Sequence, residues 1–287
     1  MKSHFSAQLA SWMWTSIGRD SASRVRRRCR QPLQVIESLE CRSLLTIDLL
    51  STTAASTAGG LTSENPQISR DSRFVAFQSR AEDLAITGAM DGNGEQDIFV
   101  RNLELGTTSL ISVNVSGRSG NGDSWSPSIS DDGRFVSFSS FATDLVSGVT
   151  WLSGPNAFVH DRDTDKDGIF DEPGESRTYL LSRNGEDASL SGNSASGGII
   201  PGAEYPMRTV ISGDGSIVVF GSLATNLLDP ADGVLDPFSF PDLYYASPGG
   251  EPRLVSVNAD GTAAGVYSGG QSARHPSINY SGTRIAF

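Results

Sequence analysis

The chain has little of what most enzymes use for chemistry: two cysteines, two lysines and three histidines in 287 residues. Both cysteines, Cys29 and Cys41, fall near the start, so no disulfide framework staples the rest. That absence is compatible with an oxidising compartment without requiring one. Neither lysine, Lys2 nor Lys166, follows a G-x-x-x-x-G segment, which excludes a phosphate-cradling P-loop. Three scattered histidines and two early cysteines leave no set of zinc ligands in the body. Neither G-x-S-x-G nor H-E-x-x-H occurs, which removes a nucleophile elbow and a zincin helix. His160, read as lying just after a strand, and His275, just before one, are expected at surface or packing positions outside the core. Paired carboxylates of the kind glycosidases use stay open, because acids are frequent and their spacing in three dimensions is not written in the sequence. No run of about 20 apolar residues is present, so no helix is expected to span a membrane.

What is abundant is glycine and acid. Thirty-one glycines suit a turn-rich all-β chain, and the formal net charge is −11. The charge is unevenly placed. Residues 1–30 hold seven bases and one acid, whereas the remainder holds 15 bases and 32 acids. The acidic body makes nucleic acid an unexpected partner there. The basic start, followed by the interrupted apolar stretch PLQVIESLECRSLLTIDLL, reads as a poorly ordered targeting leader over residues 1–45. It resembles the L-E-x-R-x-L-L leaders of exported planctomycete-type proteins, with Leu39, Glu40, Arg42, Leu44 and Leu45 on the matching places. The resemblance implies export to the periplasm, cell surface or beyond. Leu44–Ser51 also reads as an outer strand able to complete a sheet.

The body, residues 46–287, is organised around a repeat. Pro127–Leu145 (PSISDDGRFVSFSSFATDL) is echoed by Pro66–Leu84, by Thr209–Leu227 and by the shorter Pro276–Phe287. Proline, lacking an N–H, fits the first residue of a strand. The D-G or S-G that follows supplies a hairpin turn, with Gly133, Gly215 and Gly282 free to take positive φ and Ser72 standing in their place in the first copy. The second strand of each hairpin (FVAF, FVSF, IVVF, RIAF) is apolar on both faces and should be buried on both sides. A second hairpin follows, opened by Asp97, Asn156 and Asp242, and makes a four-stranded unit.

The units begin 61, 82 and 67 residues apart, a spacing that signals repeat architectures. Four-stranded units apolar on both faces favour a β-propeller. The expected blades are residues 61–115, 116–182, 183–257 and a partial 258–287, about three and a half in all. The pattern Pro127, Ser130, Asp132, Gly133, Val136, Phe138 resembles the TolB-type, WD40-like propeller repeat, with Thr209 departing from its proline. The missing catalytic groups, together with the leader, make an exported, non-enzymatic binding scaffold for a protein or cell-surface partner the expected function, with the ligand unnamed by the fold. The alternative the resemblance implies is the propeller part of a prolyl-peptidase-like hydrolase whose catalytic residues would lie past Phe287. An incomplete fourth blade is also expected to expose strand edges, which suits either a longer polypeptide or self-association of two copies.

The second interval is long because a short turn is replaced by DTDKDGIFDE. Carboxylates at alternate positions followed by glycine let a loop curl around a hard cation that takes six to eight oxygens. The spacing resembles D-x-D-x-D-G-x-x-D calcium loops. It implies Asp163, Asp165, Asp167 and Asp171 as ligands of a structural Ca2+, with Glu172 or Glu175 replacing the missing twelfth-position glutamate. Asp91–Asp97 (DGNGEQD) shares some of this character but reads as a turn, because its counterparts in the other units share neither spacing nor acids.

Overall fold

The computed structural model describes residues 50–52, 60–84, 91–197, 208–236, 241–263 and 276–287. The leader motif, both cysteines, His4, His275 and most of the Leu44–Ser51 segment lie outside the described residues. Three antiparallel four-stranded sheets follow one another along the chain. The first is β1 (Ser63–Ile68), β2 (Phe74–Ser79), β3 (Asp97–Asn102) and β4 (Thr107–Leu110). The second is β5 (Ser124–Ile129), β6 (Phe135–Ser140), β7 (Asn156–Asp161) and β8 (Arg177–Leu180). The third is β9 (Val210–Ile211), β10 (Val218–Ser222), β11 (Asp242–Ala246) and β12 (Arg253–Leu254). A hairpin of β13 (Ser277–Ile278) and β14 (Ile285–Ala286) opens a fourth unit.

Each sheet is a meander in sequence order. The first strands of successive sheets, β1, β5, β9 and β13, touch one another in turn. The sheets are therefore propeller blades with their first strands innermost.

Stacking follows from the double-sided apolar second strand. β2 and β10 are buried along their whole length. Phe74, Ala76, Ile98 and Val100 of blade one share a core with Val136, Phe138 and Phe158 of blade two. Ala157, Val159 and Leu181 of blade two do the same with Ile211, Val218 and Phe220 of blade three. Inside every blade one cross-strand aromatic pair repeats: Phe77 on Phe99, Phe138 on Phe158, Phe220 on Tyr244, with ring centroids 5.8, 5.7 and 6.0 Å apart. Such pairs contribute roughly 0.5–1.5 kcal/mol beyond the area they bury.

The hairpin turns do more than reverse the chain. Ser130 Oγ donates to Asp132 at 2.6 Å and accepts the Phe135 N–H at 2.9 Å, and Asp132 accepts the Arg134 N–H. Ser69 with Asp71, and Ser212 with Asp214, repeat the arrangement. The turns also link blades through the backbone. Asp71 N–H donates to the Asp131 carbonyl, Asp131 N–H to that of Gly213, and Asp214 N–H to that of Tyr280.

Each turn glycine receives a side chain from the preceding blade. A Cβ on Gly133 would lie 2.2 Å from Phe74, one on Gly215 2.2 Å from Phe135, and one on Gly282 2.6 Å from Ile217. These glycines sit at φ 79°, 73° and 67°. Ser72 adopts the same left-handed conformation, φ 60°, at the cost a side chain incurs there.

Pro66 and Pro127 do not start their strands as the sequence suggests, whereas β13 begins directly after Pro276. β1 and β5 begin three residues earlier, and the pairing shifts register between Glu64 and Gln67 and between Trp125 and Ser128. Because Pro66 and Pro127 have no N–H to give the ladder, each sits in a bulge. The residue before it, Asn65 or Ser126, turns to φ 51° or 55°.

Strand three of each blade opens with a buried polar side chain clasped by a serine. Ser112 Oγ donates to Asp97 at 2.5 Å, Ser182 Oγ to Asn156 at 2.8 Å and Ser256 Oγ to Asp242 at 2.6 Å. Burial pushes the carboxyls of Asp97 and Asp242 up to about 7 and about 6. Asn156 shows that the site needs an acceptor, not a charge.

Gly133→Ala should lower stability by about 2 kcal/mol or more in urea unfolding, from its left-handed backbone plus the clash with Phe74. Ser72→Gly should hold or raise stability, since it relieves the same backbone cost. Because the folded-state value of Asp97 is raised, its contribution is complete below the ordinary carboxylate value and is lost as pH rises through about 7. Stability should therefore increase on acidification from pH 8 to pH 5. Asp97→Asn should flatten that dependence in denaturation midpoints measured across the same window.

Candidate metal centre

The acidic loop joins β7 to β8 at the rim of blade two. Asp163 is buried, while Asp165 and Asp167 are exposed, and one oxygen from each of the three lies within 4.8 Å of the others. Local backbone bonds build the cluster. Asp163 accepts the N–H groups of Asp167 and Gly168, each at 3.1 Å, and Asp167 accepts that of Ile169 at 2.8 Å. The curl requires left-handed residues at Lys166 (φ 65°) and Gly168 (φ 89°). Thr164 N–H to the Glu175 carbonyl, and Asp171 N–H to that of Arg162, close the loop across its base.

The charges repel one another. The Asp165 carboxyl is pushed up by desolvation, then by the hydrogen bond it shares with Asp163 and the charges of Asp167 and Glu175. Glu172 is raised by desolvation and then by Asp167, Asp165, Glu175 and Asp163. It therefore shares the triad's field from a half-buried position. A hard divalent cation would convert this repulsion into coordination, and Asp163, Asp165 and Asp167 are the residues placed to hold it.

Asp171 departs from the expected ligand set. Both its oxygens are taken by the Arg162 guanidinium, at 2.9 and 2.5 Å. Burial opposes its ionisation, but the charge and hydrogen bonds of Arg162 prevail and hold the carboxyl below its ordinary range. Arg162 is 2% exposed at its side chain. It also donates to the Gly133 carbonyl at 2.8 Å and lies over the rings of Phe74 and Phe170, 5.0 and 4.9 Å from their centroids. Phe74 belongs to blade one and Gly133 to the turn of blade two. The base of the loop is thus fastened to the interface between two blades. No local spacing rule reveals this partner, although an apolar Phe170 inside an acidic loop is the one sign that part of it packs.

His160 is the other correction. It lies within β7, 2% exposed, with Nδ1 2.9 Å from the Thr178 hydroxyl. Burial, against the pull of Asp171, pushes its imidazole down to about 4. It is a neutral core residue because it sits inside the strand and not after it. In the segment 91–97, Asn93 donates to Asp97 at 2.9 Å and to the Gly120 carbonyl at 2.6 Å. Its side-chain oxygen accepts the Glu95 N–H at 2.8 Å.

No protein-family model matches the chain, and no curated protein sequence matches it. Among solved structures the chain is similar to TolB from Acinetobacter baumannii, with 16% identity and a TM-score of 0.37 over 79% of this chain and 37% of that one. It is also similar to a putative TolB from Agrobacterium tumefaciens, with 14% identity and a TM-score of 0.32 over 68% and 49%. An oligogalacturonate lyase in complex with manganese gives 14% identity and a TM-score of 0.35 over 78% and 44%. The chain spans less than half the length of each.

Asp171→Ala should leave the Arg162 charge buried and unpaired, which costs about 3 kcal/mol or more. In cation-free buffer Asp165→Ala should not lower stability, because it removes repulsion from an exposed cluster. Equilibrium denaturation of the two variants separates the acid that holds the loop from those that face a cation.

Proposed function

We propose that this chain is a non-enzymatic β-propeller scaffold, exported from its cell, whose blade-two loop is stiffened by a structural divalent cation, calcium by preference. The observation that carries the reading is the division of labour in the acidic loop. One acid, Asp171, is consumed by a buried arginine, and three others are gathered at the rim with no cationic side chain among the described residues bonded to them. That arrangement favours a stabilising ion over a reacting one, since two of the triad, Asp165 and Asp167, are exposed on a hairpin tip. His160, the one histidine among the described residues, is locked neutral in the sheet.

Several features support the wider reading. The turns, clasps and stacked aromatics repeat in each blade for packing reasons alone, as a scaffold requires. Among the described residues no helix is long and apolar enough to cross a membrane. Export agrees with the basic start of the chain and with a body free of cysteine. Outside cells, modules with calcium sites of about 10⁻⁴–10⁻³ M dissociation constant are served by ambient calcium. The TolB resemblance of the repeat agrees with a protein partner, and the acidic body argues against nucleic acid.

Calorimetric titration of the full chain with calcium at millimolar concentration should give saturable heat. Asp165→Ala and Asp167→Ala should each remove it, whereas Asp91→Ala should not. Affinity should fall as pH is lowered toward 4, because protons compete for the raised carboxyls of Asp165 and Glu172. Absence of heat in the unaltered protein would overturn the cation. Hydrolysis of a peptide or glycoside substrate by the chain would overturn the scaffold.

A further inference from the structure

The first strands of three blades converge on a groove of about 110 Å³ lined by Asn65, Gln67, Ser126, Ser128, Arg208 and Thr209, with Pro127 and Val210 completing the wall. Asn65, Ser126 and Arg208 occupy one repeat position, the residue before the proline or its threonine replacement, in successive blades. The groove is therefore built by the repeat itself at the inner edge of the blades. Its lining is mostly hydrogen-bond donors: two amides, hydroxyls and a guanidinium.

Asn65, Gln67 and Arg208 are exposed along the groove, and Ser126 is buried. The Asn65 and Gln67 amides, the Ser126 hydroxyl and the Arg208 guanidinium bond to no other described residue. Ser126, by contrast, is fixed through its backbone. Its N–H donates to the side-chain Oε1 of buried Gln78 at 2.9 Å, and its backbone carbonyl accepts the Thr209 hydroxyl at 3.2 Å. Both Asn65 and Ser126 are left-handed immediately before a proline, where extended backbone is favoured. Costly conformations of this kind persist where the surroundings impose them and concentrate at binding sites. Arg208 is also one of few bases in an acidic chain, with 32 acids to 15 bases over residues 31–287.

From these observations we infer that the groove binds a single oxyanion, a carboxylate or phosphate group, with Arg208 as its charged partner and the Asn65, Gln67 and Ser126 side chains as neutral donors. Size sets the class. The volume holds roughly three or four waters at about 30 Å³ each and falls well short of the roughly 300 Å³ at which small-molecule pockets begin. The anion is thus a terminus or side group, or a free ion, and not a nucleotide or sugar chain. Charge-assisted bonds to such a group are the strong kind. The inference rests on the scaffold reading, for which it supplies a contact point.

The test uses calorimetry on the full chain with two probes, inorganic phosphate and N-acetyl-dialanine with a free carboxylate. Saturable millimolar or tighter binding of either probe is expected. Phosphate alone assigns the groove to phosphate chemistry, and the peptide alone to a polypeptide terminus. Arg208→Gln should weaken binding at least tenfold, while Arg253→Gln, on an outer strand of blade three, should leave it unchanged. Should the Arg208 variant not fold, Asn65→Asp places a carboxylate in the groove and should weaken binding to a similar degree. No saturable heat with either probe, or binding untouched by these groove variants, overturns the inference. If calcium heat survives while both probes fail, the groove assignment falls and the scaffold reading stands.

Discussion

Blades of this kind cannot stand alone, because their middle strands are apolar on both faces and must be covered on both. The structure meets that constraint with one repeated contact: a bulky residue at or just before the start of a blade's second strand enters the space a turn glycine leaves open in the next. Phe74 meets Gly133, Phe135 meets Gly215 and Ile217 meets Gly282. A backbone hydrogen bond between the same turns accompanies each contact, so stacking is directional as well as apolar. Glycine is required twice over, for the left-handed turn and for the missing Cβ. Ser72 shows the two demands separated, since it keeps the turn and its conformation with a side chain in place.

The acidic loop depends on the same contact. Arg162 lies against the Phe74 ring and donates to the Gly133 carbonyl, the two partners that stack blade one on blade two. Burying a guanidinium there is tolerable because Asp171 meets it with two bonds and Phe170 covers it. A loop that would otherwise be a solvated tip is thereby given a rigid base, and its remaining acids are held close enough to repel one another. Electrostatics at the rim and packing at the blade interface are thus one structure.

Strain is distributed unevenly. Along the hairpins, left-handed residues are mostly glycine and cost little. At the inner edge they are Asn65 and Ser126, each before a proline, and in the acidic loop Lys166 and Asp171. Apart from Ser72, the non-glycine exceptions among the described residues gather at the two places where polar side chains converge, the groove and the candidate metal centre.

The order of strands, the positions of the turns, the double-sided burial of the second strand and the clustering of Asp163, Asp165 and Asp167 were all determined by local sequence. Each follows from a period of two, a turn residue or a spacing of a few positions. Tertiary structure alone decided the rest. Asp171 looks like a cation ligand by spacing, but a buried arginine that also touches two other segments claims it. His160 looks peripheral, but strand pairing buries it. Pro66 and Pro127 look like strand starts, but the register of the partner strand carries pairing past them and forces a bulge. For His160 and the prolines the deciding partner lies across a sheet; for Asp171 it is Arg162, nine residues away, whose burial is set by Phe74 and Gly133 of other segments, and a linear spacing rule carries no information about either.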